Sequence, residues 1–138
     1  MLESTGAVLL VLESNSTLSQ RYFVSDARLL ATPEQAIANL DRVRAIIMSD
    51  HEHLVMGYWH DSAEWRRRTC EQEAAICGTT HCLAGWLQVC STEPEIREMD
   101  TEAAGILCAP IAAKMFYEEA DAVILWLENR EYAKGEAA

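Results

Sequence analysis

The chain has 138 residues, of which 50% are apolar; this suffices for a single domain with one buried core and excludes wholesale disorder. Its 22 acidic residues exceed its 11 Lys and Arg residues, which gives a net charge of -11. Residues 93–138 carry -7 of this charge. Such a field repels phosphate backbones and anionic lipids, so we expect neither direct nucleic-acid binding nor membrane binding, whereas a basic protein partner is favoured.

Residues 1–31 are predicted to form an N-terminal extension, and residues 32–138 a helical domain. In the extension, the apolar runs AVLLVLES and RYFVS favour a short β-hairpin, although a helix over 5–13 fits nearly as well. The apolar run at 6–12 has no Lys or Arg before it, and it is shorter than a membrane span of about 20 residues. We therefore expect a cytoplasmic protein. In that reducing compartment its five cysteines are expected as thiols or metal ligands, not as disulfides.

The segment TPEQAIANLDRVRAIIMSD predicts the first long helix. Thr32 is a good N-cap, Pro33 fits the first helical position, and Gln35 completes a capping box. Apolar residues then recur at helical spacing and predict one buried stripe. The stripe is expected to comprise Ile37, Leu40, Val43 or Arg44, and Ile47.

Further short helices follow, and together they predict a mainly α fold, a compact bundle of five or six short helices. Pro110 marks a boundary, because the residue before a proline avoids the α region. The other predicted helix starts are Thr79 or Thr80 before HCLAGWLQVC, Thr92 before Pro94, and Asp121, whose helix buries Val123, Trp126 and Leu127. Asp61 with Glu64 at N3 fits a further helix start, but the apolar stripe after it is thin, so a mobile surface helix or a long loop is the alternative there.

The stretch CGTTHCLAGW, residues 77–86, has three interpretations, of which the first is structural. Gly85 inside a helix costs about 1 kcal/mol relative to alanine unless another backbone must come close. Trp86 beside it can fill the core, and a buried free cysteine behaves as a small apolar residue. On this hypothesis the stretch is a helix start that packs tightly against the helix at 32–50.

The second interpretation is a zinc site. Cys77 and Cys82 have a spacing at the edge of that seen in structural zinc sites, His81 lies between them, and His60 can supply a fourth ligand. Neighbouring helical side chains diverge by about 100°, which makes ligands at 81 and 82 awkward. Zinc is thus an alternative to a domain without a cofactor.

The third interpretation is nucleophilic catalysis. Cys82 would lie in the first turn of a helix, where free N–H groups and the helix dipole favour a thiolate. His60 or His81 would act as the base, and backbone N–H groups would stabilise an oxyanion. This hypothesis predicts a hydrolase or a thiol-transfer enzyme centred on Cys82.

MGYWHD at 56–61 followed by CGTTHCLAGW resembles a pattern of uncharacterised small bacterial and bacteriophage proteins, a WH pair and then C-x-T-x-H-C-x-A-G-W. The likeness covers about residues 32–133, and the chain departs from the pattern by a longer polar insert at 62–76. It implies a shared fold and a bacterial or phage setting, and it implies no reaction. It further implies that these residues belong to one structural unit: Trp59, His60, Cys77, Thr80, His81, Cys82, Gly85 and Trp86.

The leading functional hypothesis is a non-enzymatic module that binds another protein through its acidic C-terminal half. In a phage setting, an inhibitor that places carboxylates where a basic nucleic-acid-binding partner meets phosphates is physically sensible. The alternatives are the enzyme centred on Cys82 and the zinc-stabilised domain. The sequence gives neither the partner nor the oligomeric state.

Overall fold

The structure, a computed structural model, describes residues 24–134. It confirms the mainly α, compact fold. The predicted N-terminal hairpin lies outside the described residues except for Val24 and Ser25, which begin a 3-10 turn. Within the described range, no helix is both long and apolar enough to cross a bilayer. The α-helices are α1 (Pro33–Ser49), α2 (Cys70–Ala75), α3 (Leu83–Val89), α4 (Pro94–Glu98), α5 (Thr101–Cys108) and α6 (Ala120–Glu128). Between and around them lie the 3-10 turns Val24–Leu29, His51–His53, Glu64–Arg67, Pro110–Met115 and Glu131–Ala133.

Helix α1 begins as predicted. The Thr32 side chain accepts a hydrogen bond from the Gln35 N–H, and the Gln35 side chain accepts one from the Thr32 N–H. This reciprocal box satisfies two of the donors that a helix start leaves unpaired. The buried stripe is Ala36, Leu40, Val43 and Ile47, so Ala36 takes the place predicted for Ile37, which is half-buried.

Helices α3 and α5 form the most extensive pair of the bundle, and small residues let them approach closely. At Gly105 of α5, an added Cβ would lie 2.8 Å from the Ala84 Cβ of α3 and 2.7 Å from the Phe116 ring. These distances are too short for real atoms, so only glycine fits at this position. Every residue of α3 is buried, which makes it the central element of the core.

Two of the predicted helix starts are wrong, and a third is shifted by one residue. After Asp61 the chain forms only the 3-10 turn Glu64–Arg67, and α2 begins after Thr69, which forms a capping box with Gln72. Helix α3 is capped by Cys82, not by Thr79 or Thr80, because residues 79–81 run extended to pair with neighbouring backbone. Helix α4 begins at Pro94, and Glu93 rather than Thr92 holds its N-cap position, where its side chain makes no capping hydrogen bond.

The later boundaries are confirmed within a residue. Helix α5 ends at Cys108, and a 3-10 turn begins at Pro110, as expected for a residue that cannot donate a backbone hydrogen bond. Helix α6 begins at Ala120, one residue before the predicted start, and such ends are defined only to that accuracy. Its buried residues are the predicted Val123, Trp126 and Leu127.

The expectation that all cysteines are thiols or ligands is wrong for two of them. Cys70, the first residue of α2, forms a disulfide with Cys90, the residue that ends α3. The prediction rested on the odd number of cysteines and on the redox compartment, whereas packing of α2 against α3 brings the two sulfurs together. Among the described residues, the free cysteines are Cys77, Cys82 and Cys108.

Candidate functional site

The WH and THC segments of the sequence lie side by side. The His81 N–H donates to the His53 carbonyl at 3.1 Å, and the Cys82 N–H donates to the Trp59 carbonyl at 3.1 Å. Isolated β-bridges join His81 to Leu54 on one side and to His60 on the other. Residues 79–82 thus pass as an extended segment between two others, and this path places the His60 and His81 side chains together.

Four buried or half-buried polar side chains form a continuous chain, here called the histidine chain: Glu73, His81, His60 and Gln88. Glu73 Oε1 lies 2.6 Å from His81 Nε2, His81 Nδ1 lies 2.8 Å from His60 Nδ1, and His60 Nε2 lies 2.8 Å from Gln88 Oε1. His81, Glu73 and Gln88 are almost fully buried. All three distances are those of hydrogen bonds, so each contact needs one hydrogen.

Both ends of the histidine chain are fixed by further hydrogen bonds. The Gln88 Nε2 donates to the Ile96 and Met99 carbonyls, each at 2.9 Å. Only the NH₂ group can donate to two carbonyls, so the Gln88 oxygen must face His60, and it also accepts from the Thr101 hydroxyl at 2.8 Å. At the other end, Glu73 Oε2 accepts from Arg68 at 2.8 Å.

Counting hydrogens along the histidine chain shows that two neutral rings are not enough. The Gln88 oxygen only accepts, so His60 Nε2 must donate to it. Two neutral imidazoles carry two hydrogens for three contacts. The third hydrogen must therefore lie between Glu73 and His81 or on the His60–His81 pair, which makes the set of Glu73 and both rings uncharged as a whole.

A further proton on the rings is disfavoured. Burial lowers the pKa of His60 to about 4, although the hydrogen bond that His60 donates to Gln88 acts to raise it. Burial likewise lowers the pKa of His81, and the Glu73 carboxylate opposes this change. A fourth hydrogen would also set two N–H groups against each other across the 2.8 Å between the Nδ1 atoms. The number of protons bound by the histidine chain should therefore stay constant over a broad pH range.

Aromatic rings enclose the two imidazoles. The Trp65 ring stacks on His60 with centroids 4.4 Å apart, and the Trp86 ring meets His81 edge-on at 4.7 Å. The Trp86 indole N–H donates to the His53 carbonyl at 2.9 Å, so this ring fills the core and ties two segments together. Such packing fixes the ring orientations that the hydrogen bonds require.

Cys82 does not have the environment that the catalytic hypothesis needs. It is the N-cap of α3, and its sulfur accepts the Gly85 N–H at 3.2 Å. Burial raises the pKa of the Cys82 thiol to about 11, the reverse of the expected thiolate stabilisation, and only 2% of the residue is exposed. All four ring nitrogens of His60 and His81 make hydrogen bonds within the histidine chain, so none of them contacts the Cys82 thiol.

The four predicted zinc ligands are not brought together. Cys77 is exposed, Cys82 caps a helix, and the facing nitrogens of His60 and His81 bond to each other. In the described part of the chain, no group of three or more His, Cys, Asp and Glu side chains is placed to hold a metal ion.

The structural hypothesis expected a close backbone at Gly85 and packing of the stretch against the helix at 32–50, and α3 does contact α1. An added Cβ at Gly85 would lie 2.0 Å from the Trp59 carbonyl oxygen. The glycine is therefore needed for the close approach of the segment at 59, not of the helix at 32–50. Thr80, another residue of the motif, donates its N–H to the Asp61 carboxylate at 3.1 Å and meets the Tyr58 hydroxyl at 2.7 Å.

Sequence reasoning missed Glu73 and Gln88. Gln88 carried a signal, because it is the one polar side chain in the apolar run LAGWLQVC and a helix buried on all sides must satisfy such a group. Glu73 carried none, since it lies in the acidic stretch EQE, where a carboxylate ordinarily faces water.

A second feature is a pocket of about 240 Å³ beside the motif, here called the aromatic pocket. Tyr58 is 45% exposed and Tyr117 is 74% exposed, whereas Trp59 meets the Tyr117 ring edge-on at 6.0 Å. Large exposed aromatic side chains beside a pocket are typical of a contact surface. The pocket is lined by Met56, Gly57, Tyr58, Trp59, Cys82, Phe116 and Tyr117.

Comparisons of the chain with protein-family models, with curated proteins and with solved structures find no match. The resemblance carried by the WH and CGTTHCLAGW segments therefore stays a prediction, and function must be argued from the chain itself.

Proposed function

We propose that the chain is a protein-binding module whose acidic surface docks a basic partner, with the aromatic pocket as the centre of the contact. The histidine chain then serves as the framework that holds the segments at 56–60 and 79–82 in place. The observation that carries the proposal is the combination of exposed aromatic rings with unpaired acids on the adjacent segment.

The acids in question are Glu118, Glu119 and Asp121, which directly follow Tyr117. All three are exposed, and no ion pair involves them in the part of the chain that the structure describes. Leu125, one turn further along α6, is 57% exposed. Carboxylates around an apolar contact accelerate association with a positively charged surface and select against negative ones.

The aromatic pocket suits the side chain of a lysine or an arginine. The electron-rich faces of Trp and Tyr attract a cation within about 6 Å of the ring centre. The long aliphatic part of such a side chain can also pack against the apolar walls while its charge stays near water. A nucleic-acid-binding protein has this chemistry on its surface, and carboxylates that occupy its phosphate-binding groups would inhibit it.

Amide NMR titration with a synthetic peptide that carries several lysines and arginines tests this proposal. We expect shift changes confined to residues 56–59 and 116–121 and an affinity that falls as salt is raised. Tyr117→Phe should keep most of the affinity, because the ring face remains, whereas Tyr117→Leu should weaken binding several-fold.

Glu118→Lys should also weaken binding, and Glu34→Lys is the matched control, since it makes the same charge change on an exposed residue that does not line the pocket. Equal effects of the two reversals, or binding that is independent of salt, would rule out the proposed contact. An acidic peptide of equal length should not bind.

The enzyme centred on Cys82 is not favoured by any contact described above, since the thiol is buried and bonded within α3.

A further inference from the structure

Five of the arginines surround one cavity, although the chain as a whole is acidic. The cavity has a volume of about 420 Å³ and lies between the turn at 64–67, the start of α2 and the end of α3. A single acid, Glu71, is among its lining residues. The five cations of this arginine cavity are Arg42, Arg66, Arg67, Arg68 and Arg97, and the Cys70–Cys90 disulfide forms part of its wall.

Backbone carbonyls hold two of these guanidinium groups in place. Arg97 Nη2 donates to the Trp65 carbonyl at 3.0 Å and to the Arg68 carbonyl at 2.8 Å, and its Nη1 donates to the Val89 carbonyl. Arg42 Nη1 donates to the Cys90 carbonyl at 2.8 Å. A guanidinium has five N–H donors, so Arg97 keeps two and Arg42 keeps four for other acceptors.

These carbonyl contacts orient the side chains without neutralising them. Of the five arginines, Arg68 is the one that pairs directly with a carboxylate among the described residues, through Glu73. The charges of Glu73 and Glu98 act on Arg97 without a direct contact. Arg66 and Arg97 each lie 5.1 Å from the centre of the Trp65 ring, which leaves their charge in place. Arg66 and Arg67 are exposed on one short turn.

We propose that the arginine cavity binds a small phosphorylated molecule of about the size of a mononucleotide. Guanidinium groups bind phosphate oxygens through paired, charge-assisted hydrogen bonds, and five arginines line this cavity. The cavity volume falls within the range of about 300–1,000 Å³ that small-molecule sites occupy. The site shares no lining residue with the aromatic pocket, so it is independent of the proposed protein contact.

The net charge of -11 favours a small anion over a nucleic acid. Charges separated by more than about 8 Å are screened at physiological salt, so an anion inside the cavity is governed mainly by the arginines around it. A long polyanion would extend beyond them and meet the surrounding carboxylates.

Isothermal titration calorimetry of the full chain, with EDTA present, tests the proposal with pyrophosphate, ATP and adenosine as probes. We expect one saturable site for pyrophosphate and for ATP, an affinity that falls with salt, and no binding of adenosine. Arg66→Gln and Arg67→Gln should each weaken binding about tenfold, the effect of losing a charge-assisted contact. Both side chains are exposed, so the thermal midpoint should not change.

Lys114→Gln is the matched control, because it removes one exposed positive charge outside the cavity and should change the affinity less than twofold. The proposal is overturned if millimolar pyrophosphate and ATP give no saturable heat, if adenosine binds as well as ATP, or if Lys114→Gln weakens binding as much as Arg67→Gln. A single-stranded oligonucleotide that binds more tightly than ATP would instead indicate a nucleic-acid site.

Discussion

The Nδ1 atoms of His60 and His81 lie 2.8 Å apart, so one ring must donate a hydrogen to the other. The outer nitrogens of the same rings face Gln88 and Glu73, and the Gln88 oxygen can only accept. The protonation of the pair is therefore dictated by geometry: three contacts need three hydrogens. The buried histidine chain also holds the segments at 56–60 and 79–82 in register. The aromatic pocket depends on this register, because both segments line it.

Glu73→Gln tests this hydrogen count. The new amide can donate to His81 Nε2 and accept from Arg68, so it supplies the third hydrogen while both rings stay neutral. We expect a free energy of unfolding within about 1 kcal/mol of the wild type in urea at pH 7. Glu73→Leu, of similar volume, leaves the buried His81 Nε2 and the Arg68 guanidinium without the carboxylate and should cost about 2–4 kcal/mol.

Nitrogen NMR of the imidazoles gives a second readout of Glu73→Gln. The hydrogen should lie on Nε2 of His60 and on Nδ1 of His81, with both rings neutral. Equal destabilisation by glutamine and leucine, or the opposite tautomers, would contradict the count.

Acid should destabilise the protein through His60. Its pKa is about 4 in the folded chain, chiefly because of burial, against about 6.5 in an unfolded chain. The unfolded state then binds the proton first, so this contribution to stability is complete above pH 6.5 and is lost as the pH falls towards 4. Allowing for the half-buried position, the loss should be about 2 kcal/mol.

Denaturant unfolding between pH 7 and pH 4 measures this effect of His60. His60→Gln should be less stable at pH 7 and should lose less stability on acidification than the wild type. His51→Gln changes an exposed histidine in a neighbouring turn and should leave the wild-type pH dependence intact. Parallel curves for the wild type and His60→Gln would show that another group causes the acid loss.

Elements set by local chemistry were predicted well. The start of α1 depends on Thr32, Pro33 and Gln35, which are neighbours in sequence, and the structure shows the predicted capping box. The buried face of α6 depends on spacing alone, and it too is confirmed. The start of α3 was misplaced because Thr79 and Thr80 are good caps locally, whereas tertiary hydrogen bonds hold that segment extended.

Features that join distant segments could not be read from the sequence. The histidine chain unites residues from 60 to 88, and nothing in EQE distinguishes Glu73 from a solvated acid. The arginine cavity likewise combines the run at 66–68 with Arg42 and Arg97, which lie on α1 and α4. The net charge describes the chain as acidic, and it gives no indication that the lining of this one cavity is basic.

Thiol reactivity should follow burial rather than position in the motif. Cys77 is exposed, whereas burial raises the pKa of Cys82 to about 11 and that of Cys108 to about 12. We expect one fast-reacting thiol in the native protein, because a buried protonated thiol reacts slowly. With the Cys70–Cys90 disulfide intact, denaturation should expose the three free thiols, and reduction all five cysteines.

Titration with a chromogenic disulfide reagent, followed by mass spectrometry of the labelled peptides, checks these counts. Cys77→Ser should abolish the fast phase and leave the slower thiols unchanged. Fast labelling of Cys82 in the native protein would contradict its burial and would restore the enzyme hypothesis. Five reactive thiols without reduction would exclude the disulfide.

Gly85→Ala should destabilise the protein strongly, because the added Cβ would lie 2.0 Å from the Trp59 carbonyl oxygen. That carbonyl accepts a hydrogen bond from the Cys82 N–H at 3.1 Å, so it cannot move away from Gly85 without loss of this hydrogen bond. We expect a loss of about 2–4 kcal/mol in urea unfolding, in the range of overpacked core sites.

Gly57→Ala is the control, since nothing lies within 4 Å of its added Cβ, and it should change stability by about 0.5 kcal/mol or less. If the two alanine variants unfold at the same urea concentration, the segment at 59 does not press against α3 as described. A large loss at residue 85 alone would show that the glycine of CGTTHCLAGW exists to admit a neighbouring backbone.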